Sequence, residues 1–131
     1  MGEKCVLIVD DEMDMRLYLS TLLESNGYRP VARRNGADGL TSVQENRPDL
    51  ILLDIMMPGD GGVFLYSRLK SDPDLAGIPV VMLSAVSEAS FRHFLTMLNA
   101  RRTTPIPEPQ AYLEKPVEHE HLLQVVRDVI G

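Results

Sequence analysis

The sequence predicts an α/β fold built on a parallel sheet with helices on both faces. Three observations carry this expectation. Short runs of valine, isoleucine and leucine recur, amphipathic stretches of helical period separate them, and the alternation repeats five times along 131 residues. Cys5–Val9 is a continuous apolar run, as a strand buried on both faces reads. From Glu12 to Ser25, Met15, Leu19, Leu22 and Leu23 keep helical spacing, and Asn26-Gly27 supplies the stop. Arg29–Ala32 is a short strand with charged flanks, suited to a sheet edge. Ala37–Glu45 follows as a helix after Asn35-Gly36, and Leu50–Leu53 is a second strongly apolar strand. The glycine-rich bend Pro58-Gly-Asp-Gly-Gly62 leads into a helix over Val63–Ser71, with Phe64, Leu65 and Leu69 apolar. Pro79–Leu83 is a third buried strand, and Glu88–Leu98 is helical by period. Ala111–Glu114 is a short last strand. The final helix, Glu118–Ile130, carries an apolar stripe of Leu122, Val125, Val126, Val129 and Ile130.

Composition narrows the function classes. The length fits one domain spanning 1–131. Thirteen Lys+Arg against nineteen Asp+Glu give a net charge of −6, which argues against nucleic acid as the main partner because phosphate binding needs a cationic surface. A hydrophobic content of 44% supplies a core and is too high for a disordered chain. No apolar run reaches the roughly 20 residues a membrane helix needs, and Met1-Gly2-Glu3-Lys4 lacks the pattern of a secretory signal. The single cysteine, Cys5, cannot form an internal disulfide, which fits a reducing cytoplasm.

In parallel sheets of this kind, sites form beyond the carboxyl ends of the strands. The residues that follow the apolar runs are Asp10 and Asp11, then Asp54, then Ser84, then Lys115. Each has a structural reading when taken singly. Asp11, with Asp14 three residues on, suits a helix cap; Asp54 suits a turn; Ser84 suits a cap; and Lys115-Pro116 suits a strand end. Together they put three carboxylates, a hydroxyl and an ammonium at one edge. At an effective dielectric of 20, two like charges about 4 Å apart repel by about 4 kcal/mol. A hard divalent cation such as magnesium relieves that repulsion while keeping positions for phosphate oxygens. Lys115 adds a second positive point, Ser84 a hydrogen-bond donor, and an aspartate beside the metal can accept a phosphoryl group. The constellation favours phosphoryl transfer with Mg2+.

Val9-Asp10-Asp11-Glu12, Leu53-Asp54-Ile-Met-Met-Pro58 with Gly61-Gly62, Leu83-Ser84-Ala85 and Tyr112-Leu-Glu-Lys115-Pro116 resemble, in order and over nearly the whole chain, the bacterial two-component response-regulator receiver domain. The resemblance implies a flavodoxin-like (βα)5, doubly wound, three-layer α/β/α fold with a five-stranded sheet in the order 2-1-3-4-5. It implies that Asp54 is the phosphoacceptor. Asp10 and Asp11 would be the magnesium-binding acidic pair, and the Met56 carbonyl a further metal ligand. Ser84 and Tyr112 take the switch positions and Lys115 the position that pairs with the phosphoryl group, with a cis Lys115–Pro116 bond, feasible because proline follows. A sensor histidine kinase or phosphotransfer protein would donate the phosphoryl group. The face formed by the fourth helix, fifth strand and fifth helix would then switch toward an output partner. Such a domain catalyses its own phosphorylation and dephosphorylation without being a metabolic enzyme, and contacts neither nucleic acid nor membrane itself. No effector region follows Gly131, so it would be a free-standing receiver or one domain of a longer protein.

Departures from the family pattern are equally readable. Residues 99–110 form a Pro-rich insertion before the fifth strand, with Arg101-Arg102 and with Pro105, Pro107 and Pro109, which forbid a helix and favour an extended loop. The insertion is either a tolerated surface loop or a partner-specific contact. Met56 and Val86 occupy the positions two beyond Asp54 and two beyond Ser84 that tune dephosphorylation; both are apolar, so slow dephosphorylation is expected. His119 and His121 lie two apart on a helix and do not share a face, so they read as solvated and not as metal ligands. A flavin carrier needs a phosphate cradle that Asp10-Asp11-Glu12 would repel, and an aspartyl-phosphate hydrolase needs a different pattern after its first strand. The alternative reading is a phosphorylation-independent receiver-like module for protein interaction, usually marked by a lost acceptor or acidic pair.

Overall fold

The computed structural model describes residues 2–57 and 61–131, so the Pro58–Asp60 part of the glycine-rich bend lies outside the described residues. Five strands, β1 (Cys5–Val9), β2 (Arg29–Arg33), β3 (Leu50–Leu53), β4 (Val80–Ser84) and β5 (Ala111–Glu114), pair in parallel in the order β2-β1-β3-β4-β5. They alternate with α1 (Met13–Glu24), α2 (Gly36–Glu45), α3 (Gly62–Ser71), α4 (Glu88–Asn99) and α5 (His119–Ile130). This is the expected doubly wound arrangement.

Period-2 alternation along the strands divides the core into two layers. Leu7, Val9, Ile51, Leu53, Val80 and Met82 pack with Val43, Leu65, Leu69, Phe91 and Leu95 from α2, α3 and α4. Val6, Ile8, Leu50, Leu52, Val81 and Leu83 pack on the opposite face with Leu19 and Leu23 of α1 and Leu122, Leu123 and Val126 of α5. Every residue of β1, β3 and β4 is buried, which is why those three runs are apolar without alternation, whereas the edge strands β2 and β5 keep exposed positions.

Element limits agree with the sequence expectation for β1, β3 and β5 and differ elsewhere by a single residue, in several cases for a local reason. The Asn35 side chain accepts from the Asp38 N–H at 2.7 Å, so α2 begins at Gly36. β4 starts after Pro79, which has no N–H for the ladder, and extends through Ser84. At the end of α1, Tyr28 and Gly27 donate back to the carbonyls of Leu23 and Glu24, with Gly27 at φ 86°, a closure that favours glycine.

The insertion is the main departure from a loop resting on the surface. Past Asn99, which ends α4, it contains no helix, as its prolines dictate, but Ile106 is only 3% exposed and belongs to the same layer as Phe91, Leu95 and Tyr66. Ile106→Ala should therefore lower the unfolding free energy by about 2–4 kcal/mol. Thr103→Ala, on the exposed part of the same segment, should stay within about 0.5 kcal/mol. Urea unfolding of the two variants checks this, and equal small effects would place Ile106 outside the core.

Candidate functional site

Backbone pairing past the strand ends creates the site. The Asp10 N–H donates to the Arg33 carbonyl, the Asp54 N–H to Val9, and the Lys115 N–H to Ser84, at 3.1, 3.0 and 2.8 Å. Asp10, Asp54 and Lys115 thus sit one residue beyond β1, β3 and β5, beside Ser84 at the end of β4. A Cβ at Gly62 would collide with the carbonyl oxygen of Asp54, so this glycine allows α3 to start against the end of β3.

Lys115 gathers the carboxylates. Its Nζ lies 2.9 Å from Asp10 Oδ2, 3.2 Å from Asp54 Oδ2 and 3.3 Å from Glu12 Oε1. Asp10 and Asp54 are 2% and 4% exposed, so their charges face each other largely without water. The second oxygen of each is held by backbone. Asp10 Oδ1 accepts from the Glu12 N–H, and Asp54 Oδ1 accepts from the Met56 N–H, each at 2.9 Å. The turn role that Asp54 suggests when taken singly is thus real, and it coexists with the contact to Lys115. Arg16 adds a guanidinium whose Nη1 donates to the Asp10 carbonyl at 2.9 Å.

These contacts set the proton affinities. Burial works to lower the pKa of Lys115, but the hydrogen bond and charge of Asp10, joined by Asp54, outweigh it and hold the ammonium above its ordinary value. Burial raises the pKa of Asp54; the Met56 N–H and Lys115 oppose that rise without cancelling it, and the Asp10 charge adds to it.

Asp10, Glu12 and Asp54 each offer a carboxylate oxygen, and these atoms lie within 4.8 Å of one another, a donor set suited to a hard cation. Asp11 is exposed and is not part of this cluster, so the acidic pair of the sequence reading is only half convergent here. Glu12, which the sequence pattern did not single out, joins Asp10 and Asp54 in its place. The bond from its N–H to Asp10 turns the chain as α1 begins, and its longer stem reaches Lys115. A third acid directly after the pair was the available signal. Met56 lies beside Asp54 with its side chain 61% exposed. His119 and His121 are exposed on the first turn of α5, away from the cluster.

Ser84 and Tyr112 are joined through one residue. Ser84 is fully buried, and its Oγ accepts from the Val86 N–H at 3.2 Å. The Tyr112 hydroxyl donates to the Val86 carbonyl at 2.6 Å, and its ring packs against Phe91 with centroids 5.3 Å apart. Burial raises the Tyr112 pKa above its ordinary value. Ser84 is not the cap of α4; Ser87 is, accepting from the Ser90 N–H at 3.1 Å. The Lys115–Pro116 bond is cis.

A raised Asp54 pKa means that the folded state binds this proton more tightly than the unfolded chain. The penalty of an ionised Asp54 is therefore fully present above the raised folded value, and it disappears as pH falls toward the ordinary value of 3.8. In chelator, Asp54→Asn should raise the urea midpoint at pH 7, and the gain should vanish near pH 4. A variant that is less stable than the parent at pH 7 would contradict this sign.

Comparison with known proteins agrees with the geometry. The family model for the response regulator receiver domain matches residues 6–127. The polar-differentiation response regulator DivK of Brucella anthropi is 31% identical over 131 residues, covering 100% of this chain and 98% of that protein. Protein PilH of Pseudomonas aeruginosa is 30% identical over 126 residues, covering 96% and 97%. Among solved structures, the chemotaxis protein CheY4 of Vibrio cholerae superposes with a TM-score of 0.83 at 23% identity, covering 98% of this chain and 99% of that one, and shares the fold. The signal receiver domain of a signal transduction histidine kinase from Syntrophus aciditrophicus gives 0.81 at 30% identity, covering 97% and 89%. The chain belongs to the response regulator receiver domain family.

Proposed function

We propose that this chain is a phosphoacceptor of a two-component phosphorelay, receiving a phosphoryl group on Asp54. The observation that carries the reading is the Asp54 carboxylate, buried at the sheet edge with one oxygen 3.2 Å from Lys115 and with Asp10 and Glu12 beside it. An Asp54 oxygen attacks phosphorus in a phosphohistidine of a sensor kinase or phosphotransfer protein. The phosphorus–nitrogen bond breaks, its electron pair stays on the imidazole, and an acyl phosphate remains on Asp54. Asp10, Glu12 and Asp54 would hold Mg2+, together with Asp11 and the Met56 carbonyl. When bound, that ion supplies positive charge for the transferring phosphoryl oxygens.

Lys115 has three acidic partners in the resting arrangement and can follow charge as it moves onto Asp54. Ser84 accepts from the Val86 N–H, a bond that does not use its own O–H, so the hydroxyl can donate to a phosphoryl oxygen, and a shift of Ser84 toward that oxygen would draw on Val86, the residue that Tyr112 also grips. Phosphorylation thereby biases the segment between β4 and α4, and through Tyr112 the face of α4, β5 and α5 where an output partner would dock. The protein acts in signalling, and the only chemistry proposed for it is the gain and loss of its own phosphoryl group. Among the described residues no helix is long and apolar enough to cross a membrane.

Incubation with Mg2+ and a small phosphodonor, followed by intact-mass and peptide analysis, tests the reading. One phosphoryl group should appear on Asp54, be lost in Asp54→Ala, and fall at least tenfold in rate in Lys115→Ala. The exposed Met56 and the backbone-bound Val86 present no polar side chain to orient an attacking water, so the modified form should persist for minutes in the same quench series. Loss within seconds would refute the slow reset. Equal labelling of Asp54→Ala would refute the acceptor, and an unlabelled parent would favour a phosphorylation-independent interaction module.

A further inference from the structure

Residues 101–110 are bonded on three sides. Asn99, the last residue of α4, grips Ile106 in both directions: its Nδ2 donates to the Ile106 carbonyl at 2.9 Å, and its Oδ1 accepts from the Ile106 N–H at 2.7 Å. The Ile106 side chain fills the layer beneath, 3% exposed, against the core that contains Phe91 and Leu95 of α4. From α3, the buried Tyr66 donates its hydroxyl to the Pro107 carbonyl at 2.6 Å, and Ser71 Oγ accepts from Arg102 at 3.1 Å. Glu108 meets Arg92 on the outer side of α4 at 3.0 Å, an exposed pair that adds little stability but marks the direction of the segment. At the sheet, the Gln110 N–H donates to the Val80 carbonyl at 2.9 Å and its side chain accepts from the Val80 N–H at 3.0 Å, which ties the segment to β4 as β5 begins.

The two ends of α4 are therefore held differently. The C-terminal half is fixed by Asn99, Ile106 and the neighbouring helix. The N-terminal end is held through Val86, by a hydroxyl acceptor and a tyrosine donor that the switch would rearrange, and by a longer bond of 3.4 Å from the Glu88 N–H to the Glu114 carboxylate. Three prolines further reduce the freedom of the segment.

We propose that residues 101–110 are a strap that pins the C-terminal end of α4 to α3 and β4, so that a rearrangement at Asp54 is expressed in residues 85–91 and not as displacement of the whole helix. This rests on the reading of Ser84 and Tyr112 as the responding groups. It makes Asn99 and Tyr66 positioning residues, remote from the reacting atoms, that decide which part of the output face changes. A partner that reads phosphorylation would then contact the start of α4, while the helix end and strap present one fixed surface in both states.

Amide hydrogen exchange of the full chain, with and without the phosphoryl group, tests the strap. In the parent, phosphorylation should change exchange in residues 85–91 and leave 96–104 and Ile106 unchanged. In Asn99→Ala, exchange in 96–104 and Ile106 should rise about tenfold before phosphorylation, and the phosphorylation-dependent change should spread into them. Tyr66→Phe removes one hydroxyl and keeps the ring; it should shift the same residues in the same direction by a smaller factor, and it carries the test should Asn99→Ala not fold. A phosphorylation-dependent change throughout 96–106 in the parent, or one that stays within 85–91 in both variants, overturns the proposal. An Asp54 that takes no phosphoryl group defeats the phosphoacceptor reading separately, and the strap is then decided in the unmodified chain, where unchanged exchange of 96–106 in both variants overturns it.

Discussion

A single ammonium, Lys115 Nζ, stands among three carboxylates where four strand ends meet, and the rest of the site depends on it. Without that cation, Asp10 and Asp54 would face one another in a place nearly closed to water, an arrangement that proteins avoid unless the charges are compensated. The pKa directions express the same balance. Lys115 is held above its ordinary value because it serves two buried acids at once, while Asp54 remains harder to ionise than a free carboxylate despite that help. With three carboxylates around one ammonium, and Arg16 engaged on the Asp10 backbone carbonyl, the site retains affinity for more positive charge, which is the condition magnesium would meet.

Topology turns a local pattern into this convergence. Parallel strands all end on one side, so each residue that follows an apolar run is delivered to the same edge. The ladder continues one residue beyond β1, β3 and β5, and this fixes Asp10, Asp54 and Lys115 by backbone bonds before any side chain acts. Gly62 keeps the start of α3 clear of the Asp54 carbonyl. Ser84 differs, since it closes its own strand, and its hydroxyl answers to Val86. The carboxylate side is thus fixed by backbone bonds past the strand ends, and the hydroxyl side is held by the contact of Ser84 with Val86.

The fold was legible because burial on both faces leaves runs such as Cys5–Val9 and Leu50–Leu53 without polar interruption, and because helix stops such as Asn26-Gly27 are chemically explicit. Asp10, Asp54, Ser84 and Lys115 were legible by the same logic, as residues at the ends of those runs. Asp11 and Glu12 were not separable by it. Both acids are exposed, and which of them reaches the cluster depends on a turn made by the Glu12 N–H with Asp10, a bond between neighbours that no periodicity encodes. The insertion was legible as extended but not as buried. One isoleucine among prolines and threonines gives no pattern, and its place in the core becomes visible only when Asn99 is seen to bond its backbone and Tyr66, distant in sequence, to bond the next residue, Pro107. The strap therefore lies where three-dimensional contact carries information that spacing does not.

We propose that Asp54, Lys115 and Ser84 together form a receptor for a phosphoryl group beside a divalent ion. The most direct measurement is a crystal structure with Mg2+ and beryllofluoride, a tetrahedral mimic of an acyl phosphate. The expected result is a beryllium–oxygen bond to Asp54, with Lys115 Nζ and Ser84 Oγ bonded to fluorines and the metal on Asp10. A structure that takes up Mg2+ but leaves the Asp54 carboxylate free, with Lys115 and Ser84 still in their resting contacts, would contradict it.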